Sequence, residues 1–252
     1  MKFFVLLLKK TEYLSALSIR LVYLTGKSKV PIHPKHLIRK DLWYRNLLNK
    51  KMIVLDAGCG SGQHSLKIAP YVKRVIGIDR DLKNLKIAKV SARLQNIKNV
   101  QFGYGDLEKK ISFKKETFDL AILFDVLEHI VKRQLFLKGV KRVLKENGRV
   151  IAVIPNIDTD WKRLQRKYGI LSYSDPDHKI EYSKQTIRAE LKKAGFKIRQ
   201  VTPISYDTPF VGFIDLVGGI SLPLYKKLAN WKEKMRKLHP ENASGFQIVA
   251  AK

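Results

Sequence analysis

The stretch Val54-Leu55-Asp56-Ala57-Gly58-Cys59-Gly60-Ser61-Gly62-Gln63-His64 constrains the fold of this chain more than any other. It reads as a short buried strand, a tight turn with three alternating glycines, and the start of a helix. Glycines in that pattern tolerate dihedrals that a Cβ forbids and let the backbone approach a ligand. The amides of the following helix N-terminus favour an anionic group. A Gly-x-Gly-x-Gly by itself fits many nucleotide-binding enzymes, so the residues around it decide its meaning.

From Met52 onward, short apolar runs alternate with helical periods, the pattern of βα units on a parallel sheet. Strands are predicted over 52–57, 75–79, 100–104, 118–124, 149–154, 196–204 and 244–250. Helices are predicted over 62–69, 81–94 and 133–144, the last stopped by Glu146-Asn147-Gly148, and over 183–194 between a Ser183 N-cap and Gly195. Ahead of the sheet, residues 3–24 read as a helix with a broad apolar face. Such a helix suits a membrane interface, the cover of a substrate pocket, or packing on the domain's own core. Pro31–His36 is a rigid connector, and 37–48 reads as a helix with Leu42, Trp43 and Leu47 on one face. The βα rhythm breaks twice. Residues 156–182 are polar and aromatic with a short helix at 160–167; residues 206–242 hold the apolar, glycine-broken Phe210–Leu224 and a basic helix at 225–238. The expected organisation is an N-terminal helical extension, 1–49, and a domain, 50–252, whose two insertions form a substrate cap.

Composition narrows the partners. With 252 residues and 45% hydrophobic content the chain supports one normal core. A formal charge of +28 attracts polyanions such as RNA or anionic lipid. The basic residues are mostly lysine and spread along the chain, so a solubilising surface explains them equally well. Cys59 is the single cysteine, which excludes an internal disulfide and suits a reducing cytoplasm, the expected location, with peripheral membrane contact as an addition. No run reaches the ~18 apolar residues that span a bilayer. His33 and His36 lack a third ligand at a metal-like spacing, and no metal site is expected.

Asp56, Asp79 and Asp106 each fall at the end of a predicted strand, where ligands bind in an open parallel sheet. Asp79, about 20 residues beyond the glycine turn, suits the two hydroxyls of a ribose. Asp106 suits an adenine amino group.

These residues, with Ile78-Asp79, Gly105-Asp106, Asp125-Val126-Leu127-Glu128-His129, Leu144–Gly148 and Ala194-Gly195-Phe196, closely resemble the class I S-adenosylmethionine-dependent methyltransferases. Within them the chain is similar to the group that includes ubiquinone and menaquinone biosynthesis enzymes, over roughly 50–204 and again at 244–250. The resemblance implies an α/β, Rossmann-like sheet of seven mostly parallel strands. Its last strand is antiparallel and inserted between the fifth and sixth, with helices on both faces. It implies S-adenosyl-L-methionine as cofactor. Gly58, Cys59, Gly60 and Gly62 would line the methionyl part, with Asp56 near its amino group. Asp79 would hold the ribose, with Arg80 beside the adenine; Asp106 and Leu107 would meet the adenine edge and face. Asp125 would face the amino group and the substrate.

A general base is needed only if the acceptor carries a proton at attack, as a hydroxyl does. His178 and His129 are the candidates, with Tyr182 behind them. The absence of Asn-Pro-Pro-Tyr after the fourth strand argues against adenine-N6-type chemistry, and a cysteine confined to the turn argues against attack at a pyrimidine carbon. The expected acceptor is a small or lipid-like molecule, with an anionic group as an option. An RNA methyltransferase is the alternative, followed by a nicotinamide-dependent oxidoreductase and a non-catalytic cofactor-binding protein.

Overall fold

The computed structural model describes residues 1–38 and 42–252. The chain opens with α1 (Lys2–Lys10), α2 (Leu14–Leu24) and α3 (Lys35–Ile38). Then come β1 (Ile53–Ala57), α4 (Gln63–Ile68), β2 (Arg74–Asp79), α5 (Leu82–Leu94), β3 (Val100–Tyr104) and β4 (Phe118–Phe124). Next are α6 (Arg133–Val143), β5 (Leu144–Pro155), α7 (Asp160–Lys167), α8 (Lys184–Lys193) and β6 (Lys197–Tyr206). Helices α9 (Val211–Ile220) and α10 (Leu222–Leu238) precede the final strand, β7 (Ala243–Ala251). The elements fall into two compact units. The larger holds Trp43–Pro155, Asp177–Thr202 and Phe246–Lys252; the smaller holds Met1–Leu42, Asn156–Pro176 and Pro203–Gly245.

The seven strands lie in the order β3-β2-β1-β4-β5-β7-β6. Strands β1 to β5 pair in parallel, with Val54 opposite both Val75 and Leu120. Gly77 lies opposite Phe102, and Ile122 opposite Ile151. β7 runs antiparallel to β5: the Asn156 amide donates to the Ser244 carbonyl at one end, and the Lys252 amide to the Gly148 carbonyl at the other, both at 3.0 Å. Central strands buried on both faces read as unbroken apolar runs, and β4 (Phe-Asp-Leu-Ala-Ile-Leu-Phe) is buried at all but Asp119. That acid is held by the Ile53 amide and Lys145 Nζ, each at 2.8 Å. Leu55, Phe118 and Leu123 of the sheet share a core with Phe136 and Leu137 of α6 and with Ile187 and Leu191 of α8. The helix starts are chemically marked. The Asp81 carboxylate accepts the Lys83 and Asn84 amides, and Ser183 forms a reciprocal capping box with Thr186. The Glu108 carboxylate accepts the Val131 and Lys132 amides just ahead of α6.

In the smaller unit, α2 lies directly against α9. A Cβ on Gly212 would stand 1.9 Å from the Thr11 carbonyl oxygen, and one on Gly219 2.7 Å from Leu21 Cβ. Only glycine allows so close a crossing. The buried Asp215 of α9 receives a hydrogen bond from Ser15 Oγ at 2.6 Å and one from the Tyr225 hydroxyl at 3.2 Å, and His33 Nε2 lies 3.2 Å away. Val5 and Leu8 of α1 pack with Trp161 of α7. The N-terminal helices thus share one unit with much of both interruptions, rather than standing apart from them.

Several sequence expectations change. The helix expected over 3–24 is two helices joined by a 3-10 turn at Thr11–Tyr13. The one expected over 37–48 is not formed as such: α3 covers its first residues, Arg45–Leu47 form a 3-10 turn, and residues 39–41 lie outside the described residues. Glu146-Asn147-Gly148 does not cap a helix. α6 ends at Val143, and β5 begins at once because Leu144 pairs with Phe118. Phe210–Leu224, too broken to span a membrane, still forms α9 and the start of α10.

Candidate active site

The glycine turn is fastened to the end of β2, whose Ile78 carbonyl accepts both the Gly58 amide (2.8 Å) and the Cys59 amide (3.0 Å). Gly58, Gly60 and Gly62 all have positive φ, at 76°, 49° and 78°. A Cβ on Gly58 would fall 2.5 Å from Val126 Cγ2, and one on Gly62 2.7 Å from the Phe102 ring. Those two glycines are required by packing as well as by backbone conformation. Gly60 alone faces open space, with nothing within 4 Å of a built Cβ. It is the turn's cradle.

Asp79, ending β2, is locked to that cradle. Its Oδ2 accepts the Gly60 amide and its Oδ1 the Asp81 amide, both at 2.8 Å. Each carboxylate oxygen keeps a second lone pair for another donor. Arg80 follows, exposed. Asp106, past β3, accepts the Glu108 amide at 3.0 Å, with Lys109 Nζ at 3.7 Å; Leu107 beside it is buried and points toward Gly58. Asp125, past β4, is exposed and holds φ at 54°. A left-handed non-glycine residue costs about 1 kcal/mol or more, and such outliers concentrate at functional sites. Its amide is anchored to the Val153 carbonyl at 3.0 Å.

Asp56 differs from the other strand-end acids. It is 3% exposed, and Ser65 Oγ donates to it at 2.6 Å. Burial pushes its pKa up to about 6, against the opposing pull of the Ser65 hydrogen bonds. Burial, then the neighbouring Asp56 and Asp79 charges, pushes the Cys59 thiol above its ordinary range. Close by is a residue that the sequence did not single out. Tyr44 is 1% exposed, its ring edge-on to Phe124 at 5.5 Å, and its hydroxyl has no hydrogen-bond partner among the described residues. Burial and the Asp56 charge both push that hydroxyl's pKa up. An isolated tyrosine ahead of a strand carries no local signal of this.

The two candidate histidines come together. The Glu128 carbonyl accepts the Lys179 amide (2.7 Å) and faces the Ile180 amide at 3.3 Å. This pins the segment carrying His178 beside the loop after β4. The His129 and His178 rings meet edge-to-face at 4.7 Å. His178 Nδ1 lies 2.9 Å from Glu181 Oε1, and the two side chains are 7% and 0% exposed. Glu181 was invisible in the sequence, where it is one acid in a polar stretch. Glu128, His129 and His178 also bring one ligand atom each within 4.8 Å of one another, a donor set able to hold a metal ion. No spacing motif announces it, because His178 is distant in sequence. Tyr182, by contrast, is wholly buried in the core and is not a candidate base.

A concavity of about 880 Å³ lies toward the opposite strand ends, lined by Trp43, Arg149, Lys197, Arg199, Gln200 and Lys252 among others. Its basic lining contrasts with the acids at the C-terminal ends of β2, β3 and β4.

A family profile described as a methyltransferase domain matches residues 48–204, more than half of the chain. An uncharacterised methyltransferase of Bacillus subtilis is 28% identical over 165 residues, 62% of this chain and 62% of that protein, so the chain spans less than two thirds of that relative. A ubiquinone biosynthesis O-methyltransferase of Pelagibacter ubique is 30% identical over 184 residues, covering 64% of this chain and 75% of that one. Among solved structures, a [4+2]-cyclase shares the fold with a TM-score of 0.60 at 21% identity, over 82% of this chain and 77% of the other.

Proposed function

This chain belongs to the class I S-adenosylmethionine-dependent methyltransferases, and we propose from that membership that it methylates a hydroxyl of a small or lipid-like acceptor. The observation that carries the reading is the row of acids at successive strand ends, with Asp79 tied to an open glycine cradle. The residues fit S-adenosyl-L-methionine. Gly60 leaves room where a side chain would intrude, Asp79 offers acceptor lone pairs for ribose hydroxyls, and Tyr44 offers a buried hydroxyl that has no partner among the described residues. Asp106 and Leu107 would take the adenine edge and face, with Arg80 alongside; Asp125 would face the amino group. Asp56, sealed against Ser65, would support the turn from beneath rather than touch the cofactor.

When bound, that cofactor supplies a methyl group activated by a sulfonium. The chain's own task is then to align an acceptor oxygen and remove its proton. His178 is the proposed base. The Glu181 carboxylate favours the tautomer protonated at Nδ1, which makes Nε2 the basic nitrogen, and it stabilises the cation formed on proton uptake. His129, packed on the same ring, holds it in place. The name of the Pelagibacter relative favours an O-acceptor, and the exposed apolar residues of the smaller unit favour a lipid-like one.

An RNA acceptor is the second reading, favoured by the basic concavity around Arg149, Lys197, Arg199 and Lys252. The deciding experiment supplies labelled S-adenosylmethionine and a host extract split into lipid, small-molecule and RNA fractions. Label in the lipid or small-molecule fraction supports the first reading. Label in RNA alone replaces it with the second.

A further inference from the structure

The smaller unit carries an apolar face that its own packing leaves uncovered. α1, the turn Thr11–Tyr13 and α2 follow one another with right-handed helical backbone at Lys10, Thr11 and Leu14, which makes a nearly continuous rod. One stripe of it, Val5, Leu8, Ser18 and Val22, is buried. The other side repeats the interval: Phe3, Leu7, Leu17 and Leu24 are 79%, 50%, 43% and 76% exposed. A helix that is apolar on both sides is built for two apolar surroundings, and the fold supplies one.

The charges indicate the other. Residues 1–38 contain seven lysines and arginines against a single acid, Glu12. That acid is already paired with Lys9 at 2.6 Å. Lys2, Lys10 and Arg20 are exposed on the same rod, as are the phenol rings of Tyr13 and Tyr23, a side chain suited to a boundary between water and hydrocarbon. A second copy of the chain on this face would oppose cation to cation. An RNA would match the charge but leave Phe3 and the leucines in water.

We propose that this face docks in the plane of an anionic lipid bilayer. Phe3, Leu7, Leu17 and Leu24 enter the headgroup–acyl boundary, while Lys2, Lys10 and Arg20 meet lipid phosphates. No helix among the described residues is long and apolar enough to cross a membrane, so the contact is peripheral.

The test uses the full chain in flotation with phosphatidylcholine vesicles made with and without phosphatidylglycerol, and it reads no enzymatic activity. The wild-type chain is expected to float with the anionic vesicles. The double variant Phe3→Ser, Leu7→Ser should bind them about tenfold or more weakly with unchanged thermal unfolding, since it removes only exposed side chains. Lys10→Glu with Arg20→Glu should lose binding at low salt and differ little from wild type at high salt. Three results overturn the proposal: wild type that ignores anionic vesicles, a Phe3/Leu7 variant that floats as well as wild type, or a wild-type dimer in light scattering that this variant abolishes.

Discussion

His178 Nδ1 and Glu181 Oε1 stand 2.9 Å apart inside the fold, held there by two amides that converge on the carbonyl of Glu128. A buried imidazole beside a carboxylate is held in one orientation and one tautomer. His178→Ala is therefore expected to reduce kcat by about 100-fold or more while leaving S-adenosylhomocysteine binding intact. Glu181→Gln keeps the shape but loses the charge. It should lower kcat by about tenfold or more, with little change in KM. A chelator distinguishes a base from a metal ligand: loss of turnover with EDTA, restored by a divalent ion, would reassign His178, His129 and Glu128 to metal binding.

Cofactor binding should depend on the cradle rather than on all three glycines alike. Gly60→Val fills open space and strains a φ of 49°, and is expected to abolish the thermal shift given by S-adenosylhomocysteine. Asp79→Ala should weaken that ligand about tenfold or more. Tyr44→Phe removes a hydroxyl without a partner among the described residues, so it should leave stability unchanged or slightly raised while weakening the same ligand. NAD should shift none of these proteins. A shift with NAD and none with S-adenosylhomocysteine would return the site to oxidoreductase chemistry.

Asp56 makes stability fall as pH rises. Its folded pKa, about 6, lies above the ordinary 3.8, so the folded state binds the extra proton more tightly. Its favourable contribution is complete below pH 3.8 and lost as pH climbs through about 6, a loss on the order of 3 kcal/mol. Urea titrations between those limits should show this decline on top of the other carboxylates. Asp56→Asn, which still accepts from Ser65, should remove it.

Asp215 acts in the opposite direction. Burial raises its pKa, but the hydrogen bonds with His33 and Ser15 outweigh that and hold it below the usual carboxylate range. Its contribution is therefore present at neutral pH and lost as pH falls through the lowered folded pKa. Asp215→Ala, which removes the buried carboxylate that Ser15 donates to and that lies beside His33, should cost about 3 kcal/mol at neutral pH in chemical denaturation.

Gly212→Ala tests the helix crossing. The added methyl meets the Thr11 carbonyl oxygen, so the turn Thr11–Tyr13 and α9 must separate, at a cost of about 2 kcal/mol. Circular dichroism melts should show it, whereas Gly169→Ser, with open space around it, should lose only the smaller cost of its φ of 68°.

What the sequence made legible was what is chemically local. β3, β4 and α7 fall where apolar runs and turn residues place them, and the acids closing β2 and β3 stand out because an acid after a buried strand has few reasons to be there. Glu146-Asn147-Gly148 misled for the same local reason. Its residues suit a helix end, but pairing between Leu144 and Phe118 overrides that preference. Glu181 and Tyr44 were illegible because their significance depends on partners far away in the chain: the Glu128 carbonyl that holds the His178 segment, and the Asp56 charge next to a hydroxyl. The role of Gly60 was half visible. Three glycines looked equivalent, and only the packing of Val126 and Phe102 against the other two separates them.

The close fit of α2 on α9 also sets an order of events during synthesis. The face of α2 that carries Ser18 and Leu21 has to wait for Gly219, which leaves the ribosome about 200 residues later. At ~5–20 residues per second, that interval is on the order of ten to forty seconds. Through it the emerging helical segment displays apolar side chains on both sides. A chaperone or a nearby bilayer that receives this segment early would guard the growing chain against aggregation until its partner helix arrives.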